Sequence, residues 1–247
     1  MDSTWWLYFG VGILAQLIDG ALGMAFGVTA TTVMLSFGTA PAQASAIVHI
    51  AELFTTAASG ASHLMNRNID WSIVRRIAIP GMIGGILGAT ILVNVDGKVI
   101  APFVTVYLLA MGILILLKAV RNFAVKEPSG RMMSFLGFAG GMLDAIGGGG
   151  WGPIVTSTLV GTGHTPRFVI GSVNLTEFGV TVATSITLVL SLTLTDLTPV
   201  IPLIVGGVLS APFAGYLARI APTRVLMTMV GLLILVLTMR SLIRLLG

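Results

Sequence analysis

The sequence predicts an all-α protein that crosses a membrane several times. The first observation is composition: of 247 residues, 55% are hydrophobic and only 9% are charged, and the mean hydropathy is +1.02. Soluble domains carry roughly a quarter charged residues. The second observation is that the apolar residues form long continuous runs, unlike the alternating segments of about ten residues found in membrane β-barrels. The predicted fold class is therefore all-α and polytopic.

The chain contains eight apolar segments joined by short loops. The most polar loop, residues 121–131, lies at the midpoint and holds Pro128 and Gly130, which are typical of linkers. We therefore expect a first transmembrane repeat over residues 1–120 and a second over 132–247. The apolar segments cover residues 5–37, 41–63, 72–94, 99–120, 132–161, 166–191, 197–218 and 223–243.

The two halves of the chain match when the sequence is shifted by 125 residues without a gap. Ten identities then fall within positions 12–56, and they include both pairs of acids that lie inside apolar segments. Internal repeats are a common construction of secondary transporters, so we expect two four-segment repeats. The identical pairs are Gly12/Gly137, Asp19/Asp144, Gly23/Gly148, Gly27/Gly152, Thr31/Thr156, Gly38/Gly163, Pro41/Pro166, Val48/Val173, Glu52/Glu177 and Thr56/Thr181.

The first segment of each half is predicted to be a broken helix. Residues 5–37 would extend about 50 Å as one helix, whereas the hydrocarbon core is about 30 Å thick. The middle of this segment reads IDGALGMAFG, and the equivalent stretch of residues 132–161 reads LDAIGGGGWGP. Glycine costs about 1 kcal/mol per helix position relative to alanine. Non-helical backbone at membrane depth must be buried in protein or line a cavity, so both breaks should face inward.

The orientation of the repeats has two solutions. If every segment is a simple pass, nine Lys or Arg residues lie on the side of the 64–71 and 121–131 loops, which predicts cytoplasmic termini. If the first segment of each half is a hairpin, the repeats are inverted, the termini lie outside, and the cytoplasmic side again collects nine. We favour inverted repeats, because the 64–71 loop is basic while the equivalent 191–198 loop carries only Asp196.

Four acidic residues lie inside apolar segments, namely Asp19, Glu52, Asp144 and Glu177. An acidic side chain at the centre of a membrane helix costs roughly 3 kcal/mol on insertion scales, and such residues form proton relays in many transporters. We therefore expect all four to line one interior cavity and to carry proton coupling. The alternative is a structural role as buried hydrogen-bonding groups, or as caps of the half-helix that follows each break.

Polar residues form a stripe along the second and sixth segments. Residues three or four positions apart share one face of a helix, so we expect these stripes to line the transport path. The alternative is that each hydroxyl bonds only to its own backbone. A metal site is not expected, because only one histidine is well placed. The stripes are Ser45, His49, Glu52, Thr56 and Ser59 in the first half, and Asn174, Glu177, Thr181 and Thr184 in the second.

The glycine-rich stretch GGGGWGP, residues 147–153, lacks the Lys-Ser/Thr ending of a phosphate-binding loop. Unpaired backbone amides at the start of a half-helix attract an anion, with Pro153 suited to its first turn. The alternative is close helix packing by small residues. The candidate substrate-binding residues are Gly23, Thr31, Ser45, His49, Gly148, Gly149, Gly150, Trp151, Thr156 and Asn174.

The stretches DGALGMAFG, PAQASAIVHIAELFTTAASGASH, IPGMIGGILGA and LDAIGGGGWGPIVTSTLVGTGHTPRFVIGSVNLTEF carry a resemblance to a known family. In their order and pairing the chain resembles the sulfite exporter TauE/SafE family over nearly its whole length. The resemblance implies a bacterial inner-membrane carrier of sulfur-containing anions, with Asp19, Gly23, Asp144 and Gly148–Gly150 at the family's glycine-rich signature positions. The first break lacks the adjacent glycines of the second, so we expect the two halves to contribute unequally.

The expected function is a secondary transporter that moves sulfite, a sulfonate or a related organosulfur acid across the inner membrane, with proton coupling as a hypothesis. The alternatives are a passive channel for small anions or weak acids, and an intramembrane enzyme or subunit of a complex. No catalytic set supports an enzyme, and no cofactor is expected. The expected partners are a small anion and the lipid bilayer. Nucleic acid is not expected because the basic residues are scattered, and a homodimer is left open.

Overall fold

The computed structural model describes residues 3–121, 129–161, 166–194, 196–220 and 223–246. These residues form ten α-helices and one π-helical turn, with no β-strand among them. The prediction of an all-α fold is confirmed. The elements are α1 (Ser3–Leu22), α2 (Phe26–Ser36), α3 (Pro41–Met65), α4 (Trp71–Asn94), α5 (Gly97–Val120), α6 (Gly130–Gly147), the π-helical turn (Gly152–Thr156), α7 (Ser157–Val160), α8 (Pro166–Ser191), α9 (Val200–Ile220) and α10 (Thr223–Leu246).

Both broken helices are present. The predicted segment 5–37 is divided into α1 and α2 by residues 23–25, which we call the first break. The predicted segment 132–161 is divided by residues 148–150, the second break, after which the chain continues through the π-helical turn into α7. Residues 122–128 of the expected linker lie outside the described residues, and α6 begins at Gly130.

The outer surface of the helices is suited to a bilayer. Five of the described helices are long and apolar enough to cross a membrane by length and composition. Large apolar side chains are exposed along them, including Phe103 on α5 and Val236 on α10, each 67% exposed. Apolar surface of this extent has no counterpart on soluble monomers, so the described part of the chain is a multi-pass membrane protein.

Helices of the two halves pack against each other at close range. Helix α1 packs along α9, while α6 packs along α4. Glycines allow both approaches: a Cβ added at Gly12 would strike the backbone of Leu203, and one added at Gly137 would lie 2.7 Å from the carbonyl oxygen of Ile77. Small residues allow membrane helices to approach closely. Helices α3 and α8, which carry the polar stripes, pack together in the middle.

Candidate functional site

Each helix break begins with a glycine in the left-handed region of backbone space. Gly23 has φ of 67° and Gly148 has φ of 64°, a conformation that glycine adopts without a steric penalty. The N–H of Gly23 donates to the carbonyl oxygen of Asp19 at 2.5 Å, and the N–H of Gly148 donates to that of Asp144. Helices α1 and α6 therefore end with the same backbone conformation and the same type of hydrogen bond, at positions 125 residues apart.

The two aspartates also bridge the breaks through their side chains. The Asp19 carboxylate accepts the backbone N–H of Phe26 at 3.3 Å, and Oδ1 of Asp144 accepts the backbone N–H of Trp151 at 3.0 Å. The first amides of a helix lack partners within the helix, and a carboxylate there is also favoured by the helix dipole. The capping alternative therefore describes the hydrogen bonds of both aspartates.

The four intramembrane acids and both breaks enclose one small cavity, which we call the acid cavity. Its volume, as the space open to the centre of a water molecule, is about 10 Å³, which is close to the minimum for one water. The site in this conformation therefore has room for about one water molecule and none for a larger anion. The lining residues are Asp19, Ala25, Phe26, Gly27, Val28, Glu52, Asp144, Gly149, Gly150, Gly152, Pro153 and Glu177.

Gly27 and Gly152, which also line the acid cavity, bring the two breaks into contact. A Cβ on Gly27 would lie 2.8 Å from the carbonyl oxygen of Gly148, and a Cβ on Gly152 would lie 2.8 Å from that of Gly23. These two contacts are related by the 125-residue shift. Thr31 adds a hydrogen bond of 2.5 Å from its hydroxyl to the carbonyl oxygen of Gly148. The backbones at the two breaks therefore lie too close for a Cβ on Gly27 or on Gly152.

His49 connects the polar stripe of α3 to Asp144 on α6. Its Nε2 lies 3.1 Å from Oδ2 of Asp144, and its Nδ1 lies 2.8 Å from the backbone carbonyl oxygen of Ser45. Because that carbonyl only accepts, Nδ1 carries a hydrogen. One turn further along α3, Oε2 of Glu52 is buried without a hydrogen-bond partner.

The structure brings six of the predicted site residues to the acid cavity: Asp19, Glu52, Asp144, Glu177, Gly149 and Gly150. The indole of Trp151 is not among the lining groups. It is fully buried, and its Nε1 donates to the carbonyl oxygen of Val173 at 3.3 Å. In this conformation the indole N–H of Trp151 is therefore already bonded to α8, and substrate binding by Trp151 stays a prediction.

Three other predicted residues, Ser45, Thr156 and Asn174, contact the opposite half of the chain outside the acid cavity. Ser45 donates to the carbonyl oxygen of Ala145 at 2.7 Å, and a Cβ at Gly23 would lie 3.1 Å from the methyl group of Thr156. Asn174, the counterpart of His49, donates through Nδ2 to Ser59 at 2.8 Å. These residues join the halves without lining the cavity.

Two residues at the second break were not found by sequence reasoning. The hydroxyl of Tyr107 donates to the carbonyl oxygen of Gly149 at 3.0 Å. The ammonium of Lys118 donates to the carbonyl oxygen of Pro153 at 3.1 Å and contacts the hydroxyl of Ser157. Both lie on α5, and the signal that could have found them is a polar side chain in an otherwise apolar run.

Broken helices whose ends meet around buried acids, inside a multi-pass helical protein, are the construction of transporters, and this chain is a membrane transporter rather than an enzyme. A sequence profile of the family described as "Sulfite exporter TauE/SafE" matches residues 8–241. The chain belongs to the sulfite exporter TauE/SafE family, which confirms the resemblance drawn from its motifs.

A curated relative agrees with this class. The chain is 40% identical over 242 residues to a protein of Bacillus subtilis (strain 168) named "Probable membrane transporter protein YtnM", covering 94% of this chain and 81% of the relative. No solved structure matches the chain. As a member of a bacterial transporter family, the protein is a multi-pass protein of the inner membrane.

Proposed function

We propose that the protein is a proton-coupled secondary transporter that moves a small sulfur-containing anion, such as sulfite, a sulfonate or a related organosulfur acid, across the inner membrane. The observation that carries this proposal is the acid cavity, where four buried carboxyl groups meet the backbones of both helix breaks. The family description supplies the substrate class.

The anion would be held by backbone amides at the starts of α2 and the π-helical turn. Asp19 and Asp144 accept the N–H groups of Phe26 and Trp151, so each carboxylate already shows how an oxyanion would be received. Lys118 adds a positive charge nearby, since its ammonium bonds to the carbonyl oxygen of Pro153, a lining residue. Substrate oxygens would replace the carboxylate oxygens when the cavity opens.

Protons would accompany the anion for an electrostatic reason. Asp19, Glu52, Asp144 and Glu177 all line the acid cavity and are at most 7% exposed. Unpaired charges of one sign repel strongly at low dielectric. The substrate anion can therefore enter the acid cavity only when carboxyl groups that line it are protonated and neutral. Glu52 and Glu177, which make no cap, are the proposed proton carriers.

Opening would use the repeated architecture. We propose that the halves are repeats, because the aspartate caps and the Gly27 and Gly152 contacts recur at a spacing of 125 residues. We propose that the repeats are inverted, because the 64–71 loop is basic while the equivalent 191–198 loop carries only Asp196. The packing of α1 on α9 and of α6 on α4 follows the same shift. Separating the two breaks on one side of the membrane at a time would give alternating access.

Uptake of labelled sulfite into proteoliposomes tests the proposal. We expect saturable uptake that rises with an inward proton gradient, and Glu177→Gln and Glu52→Gln should lose the gradient dependence. Asp70→Asn is the matched control, because Asp70 is a partly buried helix cap that does not line the acid cavity and asparagine caps equally well. Uptake that ignores the gradient would remove proton coupling, and flux that never saturates would favour a channel. The absence of uptake for sulfite, thiosulfate, taurine and sulfoacetate would overturn the substrate class.

A further inference from the structure

Three of the residues at the acid cavity form a cluster with the composition of a metal site. One ligand atom each from His49, Glu52 and Asp144 lies within 4.8 Å of the other two. All three side chains are buried, with exposures of 0%, 3% and 2%. The sequence did not predict a metal site because α3 supplies only the histidine and one carboxylate, and the third ligand comes from α6 in the other half of the chain.

The histidine is held as a metal-binding histidine would be. Its Nδ1–H donates to the backbone carbonyl oxygen of Ser45 at 2.8 Å, which leaves the Nε2 lone pair directed at Oδ2 of Asp144, 3.1 Å away. Ligating histidines donate their second ring nitrogen to a carbonyl or carboxylate in this manner. A nitrogen lone pair and a carboxylate oxygen repel at this distance unless a proton or a metal cation lies between them.

The carboxylates of Asp144 and Glu52 are also positioned to bind a cation. Oδ1 of Asp144 is fixed by the backbone N–H of Trp151 at 3.0 Å, which orients Oδ2 toward His49. Oε2 of Glu52 is buried and has no hydrogen-bond partner, although Glu52 lines a cavity with room for about one water molecule. A buried carboxylate oxygen without a donor is costly, and a cation in the cavity would remove that cost.

We propose that His49, Glu52 and Asp144 bind a divalent transition-metal cation such as Zn²⁺, Mn²⁺ or Co²⁺. A mixed nitrogen and oxygen ligand set suits these ions, while Mg²⁺ and Ca²⁺ prefer oxygen ligands alone. With metal–ligand bonds of about 2.0–2.2 Å, neighbouring ligand atoms lie about 3.0–3.5 Å apart. The widest separation in the cluster, at most 4.8 Å, therefore needs to shorten by up to about 1.3–1.8 Å. Asp19 and Glu177 line the same cavity and offer further oxygen ligands.

The cation would supply positive charge in the acid cavity, where it would attract the transported anion. Only this role of the cation rests on the proposed function. Protons and the cation compete for the same lone pairs, so cation binding should release protons and weaken as the pH falls. The binding test contains no sulfur anion. Its failure alone would leave anion transport standing, and transport failure alone would leave the cation site standing.

The experiment titrates tag-free, chelator-treated full-length protein in detergent with Co²⁺, followed by visible absorption, and with Zn²⁺, followed by calorimetry. We expect one cation per chain and a rise in melting temperature. His49→Gln and Glu52→Gln should each weaken binding at least tenfold, whereas the control His63→Gln should not, because His63 lies outside the cluster. Binding that is absent, or that His49→Gln and Glu52→Gln leave unchanged, overturns the proposal, as does tightest binding of Mg²⁺ or Ca²⁺.

A second measurement does not depend on the variants folding. The electron paramagnetic resonance spectrum of Cu²⁺ bound to the wild-type protein should show coupling to one imidazole nitrogen. A spectrum with oxygen ligands alone would overturn the assignment of His49. A spectrum with two or more nitrogens would overturn it as well, because the cluster contains one histidine.

Discussion

Oδ1 of Asp144 accepts the backbone N–H of Trp151 at 3.0 Å, and this hydrogen bond bridges the second helix break. The equivalent bond from Phe26 to Asp19 is longer, at 3.3 Å. Asp144 also lies 3.1 Å from His49, a contact that Asp19 does not share among the described residues, because the counterpart of His49 is Asn174. An aspartate therefore bridges each break, but Asp144 makes the shorter hydrogen bond and has the additional contact with His49.

This inequality predicts that Asp144→Ala destabilises the protein more than Asp19→Ala. Leaving a buried polar partner unpaired costs about 1–3 kcal/mol, and Asp144→Ala leaves two. Thermal unfolding in detergent, without added metal, measures the difference. Asp144→Asn is the control: its amide oxygen can accept from Trp151 and its amide hydrogen can be donated to Nε2 of His49. Equal melting temperatures for the two alanine variants would contradict the prediction.

The contact between the two breaks predicts that Gly27→Ala and Gly152→Ala each destabilise the protein. A Cβ on Gly27 would lie 2.7 Å from Cα of Gly149, and one on Gly152 would lie 2.8 Å from the carbonyl oxygen of Gly23. Overpacking of this kind costs about 1–3 kcal/mol, and here the obstructing atoms belong to backbone.

The control for these variants is Gly10→Ala on α1, where a Cβ would meet no atom within 4 Å. Alanine is the better helix former by about 1 kcal/mol, so Gly10→Ala should leave the melting temperature unchanged or raise it. If Gly27→Ala behaves in the same way as Gly10→Ala, the two breaks are not in contact.

The first break contains Ala25, whose replacement by glycine should stabilise the protein. Ala25 has φ of 114°, a value that residues with a Cβ rarely adopt, and its counterpart in the second break is Gly150. We expect Ala25→Gly to stabilise the protein by about 1 kcal/mol, because it removes a steric penalty of about that size. Ala21→Gly, within α1, should instead destabilise it by about 1 kcal/mol. Thermal unfolding measures both, and a lower melting temperature for Ala25→Gly would show that Ala25 is not strained.

The fold could be predicted in outline because its signals are local or periodic. The mean hydropathy and the eight apolar segments indicate the helices, and a 33-residue run with glycines in its middle is too long to remain one helix. The buried acids could be assigned to the interior from the cost of exposing them to lipid. The inverted arrangement of the repeats stays a prediction, because contacts between helices do not fix their direction in the membrane.

The functions of individual side chains were harder to predict because they depend on contacts between distant residues. Trp151 appears in sequence as a free donor, yet Val173 takes its N–H. Tyr107 and Lys118 appear as ordinary members of an apolar helix, yet Tyr107 bonds to the second break and Lys118 bonds to the π-helical turn that follows it. Gly27 and Gly152 were visible as an identical pair, but only the structure shows that each faces the other break.

Lys118 gives the last prediction, since it reinforces the second break alone. Its ammonium bonds to the carbonyl oxygen of Pro153, within the π-helical turn, and contacts Ser157, the first residue after it. The 125-residue shift relates Lys118 to Ile243, so the first break lacks this support. Lys118→Met keeps an unbranched side chain, one heavy atom shorter, and removes the donor. Hydrogen bonds from charged groups are worth about 1.5–3 kcal/mol.

We therefore expect Lys118→Met to lower the melting temperature and to speed amide hydrogen exchange at residues 152–157, while exchange in α2 stays unchanged. Lys98→Met is the matched control, because Lys98 is exposed in the first turn of the same helix. Since Pro153 also lines the acid cavity, loosening this turn should raise the rate at which the cavity opens. Unchanged exchange at residues 152–157 in Lys118→Met would show that the lysine does not hold the turn.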